Sequence, residues 1–469
     1  MGRKRILARG LSLVALDAAV FLIANHVAAA VIFKMTLRDF ISRNFYFTAF
    51  IGTVLVMNFY FFDLYYTLKD FRRFRQAVNL VVAVSVSFVV SAVVVLLDRS
   101  VSMAGRHLLI FFAVILAGTA FNRMIFSLVS RNTVSKRAVF IGLNDSAVFL
   151  ARRLEKMWSD GENPGIEIAG YISCPETPTE GTGGLSCLGE MKDLEKILKN
   201  EKISLMIHAR KPGANGNLIE GVVAAKLRGI DLVSVGGLFS AITGQVPYED
   251  VDEEWLIEEC LRGNKFTEIR VKRILDVILA TVFFILFLPV MLIIAIIVKS
   301  GSRGPVFYTQ ERIGRLGKPF RIIKFRSMTV EGPVRRCKPD DWYENNAHRI
   351  NRMGHFLRRT HLDEIPQFLN IIKGDMSIVG PRPEMEMYIR QCQKAVPFYR
   401  LRLNIRPGLT GWAQVWYSHT STIEGYKEKF RYDLFYLANL SLKLDLEIMA
   451  RTVLRVMGYP RTHKFKEGR

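Results

Sequence analysis

Long apolar segments constrain this chain more than any other feature of its sequence. Four of them fill the first third, at about residues 11–33, 45–68, 78–97 and 108–129. Each is close to the roughly 20 residues that an α-helix needs to cross the hydrocarbon core of a bilayer. Because half of all residues are hydrophobic, we expect the chain to lie in or on a membrane. We predict four transmembrane helices, forming a four-helix bundle in a domain of residues 1–133.

Basic residues indicate how these helices are oriented. They cluster before the first segment, between the second and third, and after the fourth, whereas the other two loops contain fewer of them. Cytoplasmic loops carry the excess of lysine and arginine in membrane proteins. We therefore predict a multi-pass protein of the bacterial inner membrane, with both ends of the bundle on the cytoplasmic face. Asp17, inside the first segment, is costly there and is expected to pair with a neighbour.

The net charge of +22 indicates anionic partners, such as lipid head groups or phosphorylated substrates. We predict no nucleic-acid partner, because the sequence has no zinc-ligand spacing, helix-turn-helix signal or RNP-like motif. The five cysteines are scattered, which argues against structural zinc and a disulfide framework.

The pattern changes to alternating strands and helices after the fourth apolar segment. RAVFIG, residues 167–172 and residues 204–208 have the composition of strands, and helical stretches lie between them. This alternation predicts a Rossmann-like α/β domain with a parallel sheet, at residues 134–240 on the cytoplasmic side. Because the GxGxxG fingerprint is absent, a structural or regulatory role is favoured over dinucleotide binding. The acidic residues 241–267 are predicted to be a solvated linker.

A fifth apolar run, at about residues 272–299, is interrupted near its middle by Pro289. Basic residues flank both of its ends, so the charge rule names no outer end. A proline removes a backbone hydrogen bond and clashes with the preceding turn. A full crossing would also place the arginine-rich C-terminal region on the opposite side from the cytoplasm. We therefore predict a re-entrant helix, with a break at the proline, at the start of a domain of residues 268–469.

The stretch LRRTHLDEIPQFLNIIKGDMSIVGPRP, residues 357–383, has the strongest chemical character in this domain. Apolar residues follow the acidic pair Asp363 and Glu364 at helical spacing, and Gly374 suits the C-cap. The pair is therefore expected at a helix N-terminus, with Arg358 before it and Arg382 after it. A carboxylate among cations suits a nucleophile that must approach a phosphoryl group.

Two further segments add basic residues. The alternating strand at residues 320–325 delivers Lys324 and Arg326 to a loop, and Arg406 opens the turn-rich segment RPGLTGW. A phosphorylated substrate would find cations and free backbone amides there. Residues 432–457 are amphipathic and are expected to lie on the membrane surface.

Several motifs together resemble the bacterial monotopic phosphoglycosyl transferases, the polyprenyl-phosphate sugar-1-phosphate transferases. They are VKRILDVILATVFFILFLPVML, GPVFYTQERIGRLGKPFRIIKFRSM, LRRTHLDEIPQFLNIIKGDMSIVGPRPE, IRPGLTGWAQV and YDLFYLANLSLKLDLEIM, within residues 268–460. The four N-terminal helices and the α/β module resemble the large members, the undecaprenyl-phosphate glucose or galactose phosphotransferases.

This resemblance implies a two-step transfer that starts the synthesis of an exopolysaccharide, capsule or O-antigen. Asp363 matches the nucleophile that attacks a UDP-sugar, releases UMP and holds a covalent phosphosugar, which undecaprenyl phosphate then accepts. Glu364 matches the partner carboxylate, for the acceptor's proton or as a ligand of Mg²⁺, the expected cofactor. Five matching basic residues are expected to bind substrate: Lys324, Arg326, Arg358, Arg382 and Arg406. Asp433 matches an aspartate that is expected to be structural.

Two other functions stay open from the sequence. An ordinary UDP-sugar glycosyltransferase would move only the sugar and release UDP. A membrane-bound nucleotide-sugar sensor or scaffold would bind the nucleotide without turnover. The sequence leaves the sugar and the oligomeric state open, with a homodimer among the options.

Overall fold

A computed structural model describes most of the chain. The described residues are 2–62, 64–65, 73–97, 105–130, 136–159, 165–173, 184–209, 223, 225–248, 266–301, 304–328, 352–396, 398–417 and 422–456. They form two compact units. The first contains Met1–Leu143 and Ala147–Val233, and the second contains Asn144–Ser146 and Ser234–Arg469.

The N-terminal part of the first unit is helical. Its helices are α1 (Gly2–Phe33), α2 (Leu37–Arg43), α3 (Phe45–Phe61), α4 (Arg73–Leu97) and α5 (Gly105–Ser130). Three of the four predicted crossings are confirmed as helices that are long and apolar enough to span a bilayer, within α1, α4 and α5. The second lies in α3, which is apolar but has only 17 residues, and α2 precedes it at an angle of 94°. Whether these helices form the predicted bundle in a membrane stays a prediction.

Asp17 is paired inside this unit, as its cost in an apolar helix led us to expect. The carboxylate of Asp17 accepts two hydrogen bonds from the guanidinium of Arg123 in α5, at 2.9 and 3.0 Å. Both side chains are largely buried. This two-pronged contact ties α1 to α5, so the charge has a structural role.

The predicted α/β fold is present in the rest of the first unit. The strands are β1 (Lys136–Ile141), β2 (Ile166–Ser173), β3 (Cys187–Glu190), β4 (Leu205–His208) and β5 (Asp231–Ser234), with α6 (Asp145–Ser159) and α7 (Leu194–Asn200) between them. Among the described residues the strand order is β3-β2-β1-β4-β5, and β1 pairs in parallel with both β2 and β4. This order is that of the first five strands of the Rossmann fold.

The second unit is a mixed α and β domain around a core rich in aromatic side chains. Its first half contains α8 (Val235–Thr243), α9 (Phe266–Gly301), the antiparallel hairpin β6 (Phe307–Ile313) and β7 (Pro319–Phe325), α10 (Arg352–Thr360), and α11 (Phe368–Lys373). Its second half contains β8 (Ser377–Val379), α12 (Glu386–Ala395), β9 (Gly408–Thr410), α13 (Trp412–Trp416), α14 (Ile423–Ala438) and α15 (Leu442–Val456). The predicted amphipathic helix at residues 432–457 is thus divided between α14 and α15.

The start of the predicted linker is buried rather than solvated. Val246 is fully buried in the core of the second unit, and its N–H donates to the carbonyl of Arg431. The indole of Trp412 donates to the carbonyl of Gly244 at 2.7 Å. These contacts make residues 244–248 part of the domain, because a buried backbone needs hydrogen-bond partners. Residues 249–265, the rest of the linker, lie outside the described residues.

The fifth apolar run is a single 36-residue helix, α9, which continues through Pro289. The expected interruption between two helices is not seen, since one proline removes only one hydrogen bond of a long helix. Both ends of α9 contact the same unit. At the start, Lys272 pairs with Asp445 at 2.6 Å, and near the end Arg326 donates to the carbonyl of Val298. The re-entrant path through a membrane stays a prediction.

Candidate active site

The acidic pair lies in a short 3₁₀-helix, Leu362–Gln367, between α10 and α11. His361 precedes it with φ of 59°, a left-handed conformation that turns the chain sharply after α10. Asp363 and Glu364 occupy the first turn, and Gly374 ends α11 with φ of 101°. The expected helix start and C-cap are confirmed, with a 3₁₀ rather than an α conformation at the acidic residues.

Glu364 is held by two cations. Its Oε1 atom lies 2.5 Å from the ammonium of Lys324 on β7 and 3.9 Å from the guanidinium of Arg382. Burial alone would raise the pKa of Glu364, but Lys324 and Arg382 outweigh it and hold that pKa below its usual range. The carboxylate therefore stays ionised at neutral pH, and its other oxygen, Oε2, accepts no hydrogen bond from the described residues.

Asp363 is in the opposite condition. Its side chain is also buried, with 8% of the residue exposed, yet no described residue donates a hydrogen bond to its carboxylate. Burial raises the pKa of Asp363, as does the charge of Glu364, while Lys324 and Arg358 oppose the shift. A desolvated carboxylate without hydrogen bonds is a stronger nucleophile than a solvated one. The two neighbouring acids thus have different environments and suit different roles.

Asn370 fixes the acidic segment against the hairpin that carries Lys324. Its amide nitrogen donates to the carbonyl of Arg321, and its amide oxygen accepts from the N–H of Ile323. Both bonds join α11 to β7 within about two turns of the acidic pair. The sequence analysis missed this residue because it interrupts the apolar face of a short helix and carries no charge.

Two predicted basic residues lie at the loop after β7. Arg358 on α10 donates from Nε to the hydroxyl of Ser327 at 2.8 Å, and its charge acts on Asp363. Arg326 is buried; its N–H donates to the carbonyl of Val306 at 3.0 Å, and its guanidinium donates to the carbonyl of Val298 at 3.5 Å. Arg358 therefore belongs with the acidic pair, whereas Arg326 joins the loop to the end of α9.

A pocket of about 270 Å³ opens beside Glu364. Its polar lining comes from four charged side chains and one amide: Arg312, Lys324, Glu364, Arg382 and Gln367. Arg312 was missed in the sequence analysis, although β6 alternates and the register places Arg312 on the same face as Lys324 across the hairpin. Three cations around one paired carboxylate leave this pocket suited to an anion.

Backbone contacts explain the glycines of GPRP and RPGLTG. Strands β8 and β9 run in parallel, and Gly408 donates its N–H to the carbonyl of Pro381. A Cβ atom on Gly408 would lie 2.1 Å from the nitrogen of Gly380, and one on Gly411 would lie 2.1 Å from the oxygen of Gly380. Only glycine allows this approach, which places Arg382 beside Glu364.

Comparison with known proteins agrees with this geometry. The profile described as "Bacterial sugar transferase" matches residues 267–459. A UDP-glucose:undecaprenyl-phosphate glucose-1-phosphate transferase of Xanthomonas campestris pv. campestris is 32% identical over 341 residues, which are 69% of this chain and 67% of that protein. The chain belongs to the bacterial sugar transferase family. Because the aligned length exceeds that of the C-terminal region, the similarity extends into the N-terminal part, as the resemblance to large members predicted.

Other relatives match over a shorter aligned length. The UDP-N-acetylgalactosamine-undecaprenyl-phosphate N-acetylgalactosaminephosphotransferase of Aeromonas hydrophila is 37% identical over 187 residues, 40% of this chain. The chain spans 44% of that protein's length. The exopolysaccharide production protein ExoY of Rhizobium meliloti (strain 1021) is 39% identical over 194 residues, 39% of this chain and 83% of that protein. The aligned segment is thus most of this shorter relative.

Arg406 is apart from the other predicted residues of this bacterial sugar transferase. Its Nε donates to the carbonyl of Gly374 at 2.9 Å, after the end of α11. It lines a second pocket, which shares no lining residue with the pocket beside Glu364. Arg406 therefore does not contact the acidic pair, and its expected role in binding the substrate stays a prediction.

Asp433 supports the candidate active site indirectly, through Arg402. Its carboxylate lies 2.9 Å from Arg402, and both side chains are almost fully buried. The same guanidinium donates to the carbonyl of Arg382 at 3.0 Å. Arg402 and Asp433 thus fix the backbone that carries Arg382, in agreement with the structural role expected for Asp433.

The donor set fits Mg²⁺ only if substrate oxygens and water complete its coordination. The described residues contain no group of three or more histidine, cysteine or carboxylate side chains that could hold a metal. Asp363 and the Oε2 atom of Glu364 are nevertheless adjacent oxygen donors without hydrogen-bond partners among those residues. Mg²⁺ commonly binds to one or two carboxylates together with substrate phosphates.

Proposed function

We propose that this protein transfers a sugar 1-phosphate from a UDP-sugar to undecaprenyl phosphate, a polyprenyl phosphate, and releases UMP. The observation that carries the proposal is the contrast at the acidic pair: Asp363 is buried without a hydrogen bond, beside a Glu364 that Lys324 holds ionised. The relatives named for glucose 1-phosphate and N-acetylgalactosamine phosphate transfer support the same reaction class. The product would begin an exopolysaccharide, capsule or O-antigen.

In the first step, a carboxylate oxygen of Asp363 attacks the phosphorus that carries the sugar. The bond between that phosphorus and the oxygen bridging it to the uridine phosphate breaks, and UMP leaves with the bonding electrons. Asp363 then carries the sugar phosphate as a mixed anhydride. Its desolvated environment favours this step, because the carboxylate loses little solvation as it reacts.

In the second step, a phosphate oxygen of the lipid attacks the same phosphorus and expels the Asp363 carboxylate. The products are a polyprenyl diphosphate sugar and free enzyme. Glu364 is placed to accept the proton that a singly protonated lipid phosphate would lose on attack. Because Lys324 and Arg382 hold it ionised, Glu364 is ready to act as a base at neutral pH.

The surrounding cations bind and neutralise the phosphates. Lys324, Arg312 and Arg382 line the pocket beside Glu364, and Arg358 acts on Asp363. Guanidinium groups suit phosphate oxygens because they donate in pairs. Asp363 and Glu364 would hold Mg²⁺, which supplies further neutralisation of the donor diphosphate when it is bound. Arg326, at the start of the loop after β7, would also support that loop through its contact with the end of α9.

We propose that this chemistry takes place at the cytoplasmic face of the bacterial inner membrane, and the apolar helices support a membrane location. UDP-sugars are water-soluble, whereas the acceptor phosphate lies at the lipid surface. Helix α9 has the length and hydropathy of a membrane helix and begins in the same unit as the acidic pair. A re-entrant path for α9 would keep both substrates on one side.

A nucleotide-release assay tests the proposal. The purified protein is incubated with a polyprenyl phosphate, Mg²⁺ and a panel of UDP-sugars, including UDP-glucose, UDP-galactose and UDP-N-acetylgalactosamine. We expect UMP with at least one donor, and none from D363N. Release of UDP would instead identify a glycosyltransferase, and donor binding without either nucleotide would identify a sensor.

A further inference from the structure

A second pocket, of about 350 Å³, lies at the start of helix α9. Arg273 of α9, Arg315 in the turn between β6 and β7, and Arg406 before β9 line it together. All three arginines are half-buried. Nothing proposed for the acidic pair uses this pocket.

The positive charge of this pocket is only partly balanced. Lys272 is paired with Asp445 at 2.6 Å, so its positive charge is already neutralised. Asp276 is the other carboxylate in the lining, and its two oxygens already accept from the Ser377 hydroxyl and the Ile378 N–H. Three guanidinium groups therefore face one carboxylate. Burial, with the charges of Arg273 and Arg315, lowers the pKa of Arg406.

Many of the arginine donors in this pocket are not used by the described residues. Arg273 donates from its two terminal nitrogens to the carbonyls of Ile371 and Ile372. Arg406 and Arg315 each donate only from Nε, to the carbonyls of Gly374 and Asn404. The terminal amino groups of these two side chains make no other hydrogen bond with the described residues. Two forks with free donors match the oxygen atoms of a phosphate.

The position of the pocket indicates which phosphate would reach it. Ile269, Ile405 and Leu440 form its apolar lining. Ile274 and Ile278, on the face of α9 opposite to Asp276, are exposed, with 60% and 53% of each residue accessible. They begin the apolar surface that a membrane helix presents to acyl chains, so the pocket lies beside the start of that helix. A ligand with a phosphate and an acyl chain would match both the cationic and the apolar parts of the pocket lining.

We propose that the pocket formed by Arg273, Arg315 and Arg406 binds the phosphate of an anionic membrane phospholipid, separately from the acidic pair. The head-group phosphate accepts hydrogen bonds from the free terminal nitrogens of Arg315 and Arg406. The acyl chains contact the apolar lining of the pocket, Ile269, Ile405 and Leu440. This contact anchors the root of α9 at the membrane surface and does not depend on the proposed transfer reaction.

Native mass spectrometry of the purified full chain in a neutral detergent tests this site. The probes are phosphatidylglycerol and phosphatidylcholine with identical acyl chains, an undecaprenyl phosphate, and glycerol phosphate as a soluble competitor. We expect one phosphatidylglycerol to bind about tenfold more weakly to R315Q than to the wild type, because one charge-assisted contact is lost. The matched control R321Q, which changes an exposed arginine on the same hairpin, should bind as the wild type does.

Other results would overturn the proposal. Equal binding of phosphatidylglycerol to the wild type and R315Q would show that Arg315 does not bind this lipid. Binding of phosphatidylcholine as tight as that of phosphatidylglycerol would show that the protein does not select an anionic head group. Displacement by glycerol phosphate at the same concentration would assign the pocket to a soluble phosphate. A loss of undecaprenyl phosphate binding in R315Q, larger than the loss of phosphatidylglycerol binding, would assign it to the acceptor lipid.

A measurement on the wild type covers the case in which R315Q does not fold. Phosphatidylglycerol with a photoactivatable group near its glycerol is cross-linked to the protein, and the labelled peptides are identified. We expect labels on the peptides that contain Ile269 or Ile405. Labels confined to other parts of the chain would contradict the proposed site.

Discussion

Two adjacent carboxylates at residues 363 and 364 differ in what surrounds them, and their effects on stability should differ in sign. The folded state raises the pKa of Asp363, so its ionised form weakens folding above the ordinary pKa of an aspartate. The folded state lowers the pKa of Glu364, so its charge stabilises the fold above the ordinary pKa of a glutamate. That stability is lost as the pH falls through the lowered pKa.

We predict that D363N raises the melting temperature at pH 7, while E364Q lowers it. Removing a buried charge without hydrogen bonds should stabilise the protein by about 1 kcal/mol. Removing the partner of Lys324 should cost about 1–3 kcal/mol. Thermal unfolding of both variants, with the wild type in the same detergent, measures the two shifts. A lower melting temperature in both variants would contradict the proposed difference between the environments of Asp363 and Glu364.

The pairing of Lys324 with Glu364 predicts a change in the pH dependence of the reaction. In K324M the pKa of Glu364 should rise, because burial raises this pKa and Arg382 then lowers it without the charge of Lys324. The acidic limb of the pH profile of kcat/KM should move to higher pH, and the rate at pH 7 should fall at least about tenfold. UMP release across the pH range checks this. K324R, which keeps the charge, should retain the acidic limb of the wild type, and an unchanged limb in K324M would contradict the assignment.

At the level of residues, the sequence identified charged side chains more readily than their supports. Asp363, Glu364 and Lys324 could be predicted, because charged residues between apolar runs indicate a functional site. Asn370 could not, because its amide acts through two backbone groups of another element. Arg406 was predicted to bind substrate from its motif, whereas its contact with the carbonyl of Gly374 depends on where α11 ends.

At the level of elements, the close approach of β8 and β9 holds the loop that carries Arg382. The Cβ atom of an alanine at position 408 would lie 2.1 Å from the nitrogen of Gly380 and 2.3 Å from the oxygen of Thr410. Both are backbone atoms, which cannot move away independently. The two strands would have to separate.

We predict that G408A lowers the free energy of unfolding by about 2 kcal/mol or more and reduces UMP release. The matched control is G301A at the end of α9, where an added Cβ meets no atom within 4 Å. Chemical or thermal unfolding of both variants measures the difference. If G408A and G301A were equally stable, the close approach of β8 and β9 would not have the proposed role.

Helices and strands with a strong hydrophobic pattern were predictable from the sequence. The strands that pair with each other were harder to predict. Alternation located β7, but its pairing with β6 depends on a turn that holds Leu316 and Gly317 at positive φ. The parallel pairing of β8 with β9 joins two three-residue strands that are too short to show a period. Pro289 was expected to interrupt α9, yet the hydrogen bonds of its neighbours keep the helix continuous.

At the level of the whole molecule, the membrane path of α9 decides where the catalytic unit lies. A re-entrant α9 keeps the second unit on the same side as the α/β domain, whereas a full crossing separates them. Two exposed lysines can report the difference: Lys196 on α7 and Lys318 in the turn between β6 and β7. Arg38, exposed on α2, lies between the first two apolar segments and should face the other side.

We predict that K196C and K318C are both protected from a membrane-impermeant maleimide in intact spheroplasts, and that R38C is labelled. Each reporter is placed in a chain whose five native cysteines are replaced. Opening the membrane should expose the two protected sites. Labelling of K318C in intact spheroplasts would show that α9 crosses the membrane.

The architecture of the whole molecule was largely predictable from the order of its sequence patterns. Apolar length located the helices of the first unit, and alternation located the parallel sheet. The limits of the second unit were not predictable. The acidic residues after position 248 suggest a solvated linker over residues 241–267. The burial of residues 244–248 depends on Trp412 and Arg431, which lie far away in the sequence.

The central claim, that Asp363 forms a covalent bond to a sugar phosphate, can be measured directly. The wild type and D363N are incubated with the active UDP-sugar and Mg²⁺ without a lipid acceptor, quenched, and analysed by intact mass and peptide mapping. We predict that the wild type gains the mass of one sugar phosphate on Asp363, that the added mass disappears when polyprenyl phosphate is supplied before quenching, and that D363N gains nothing. No added mass on a wild type that releases UMP with acceptor present, or the same added mass on D363N, would contradict the account.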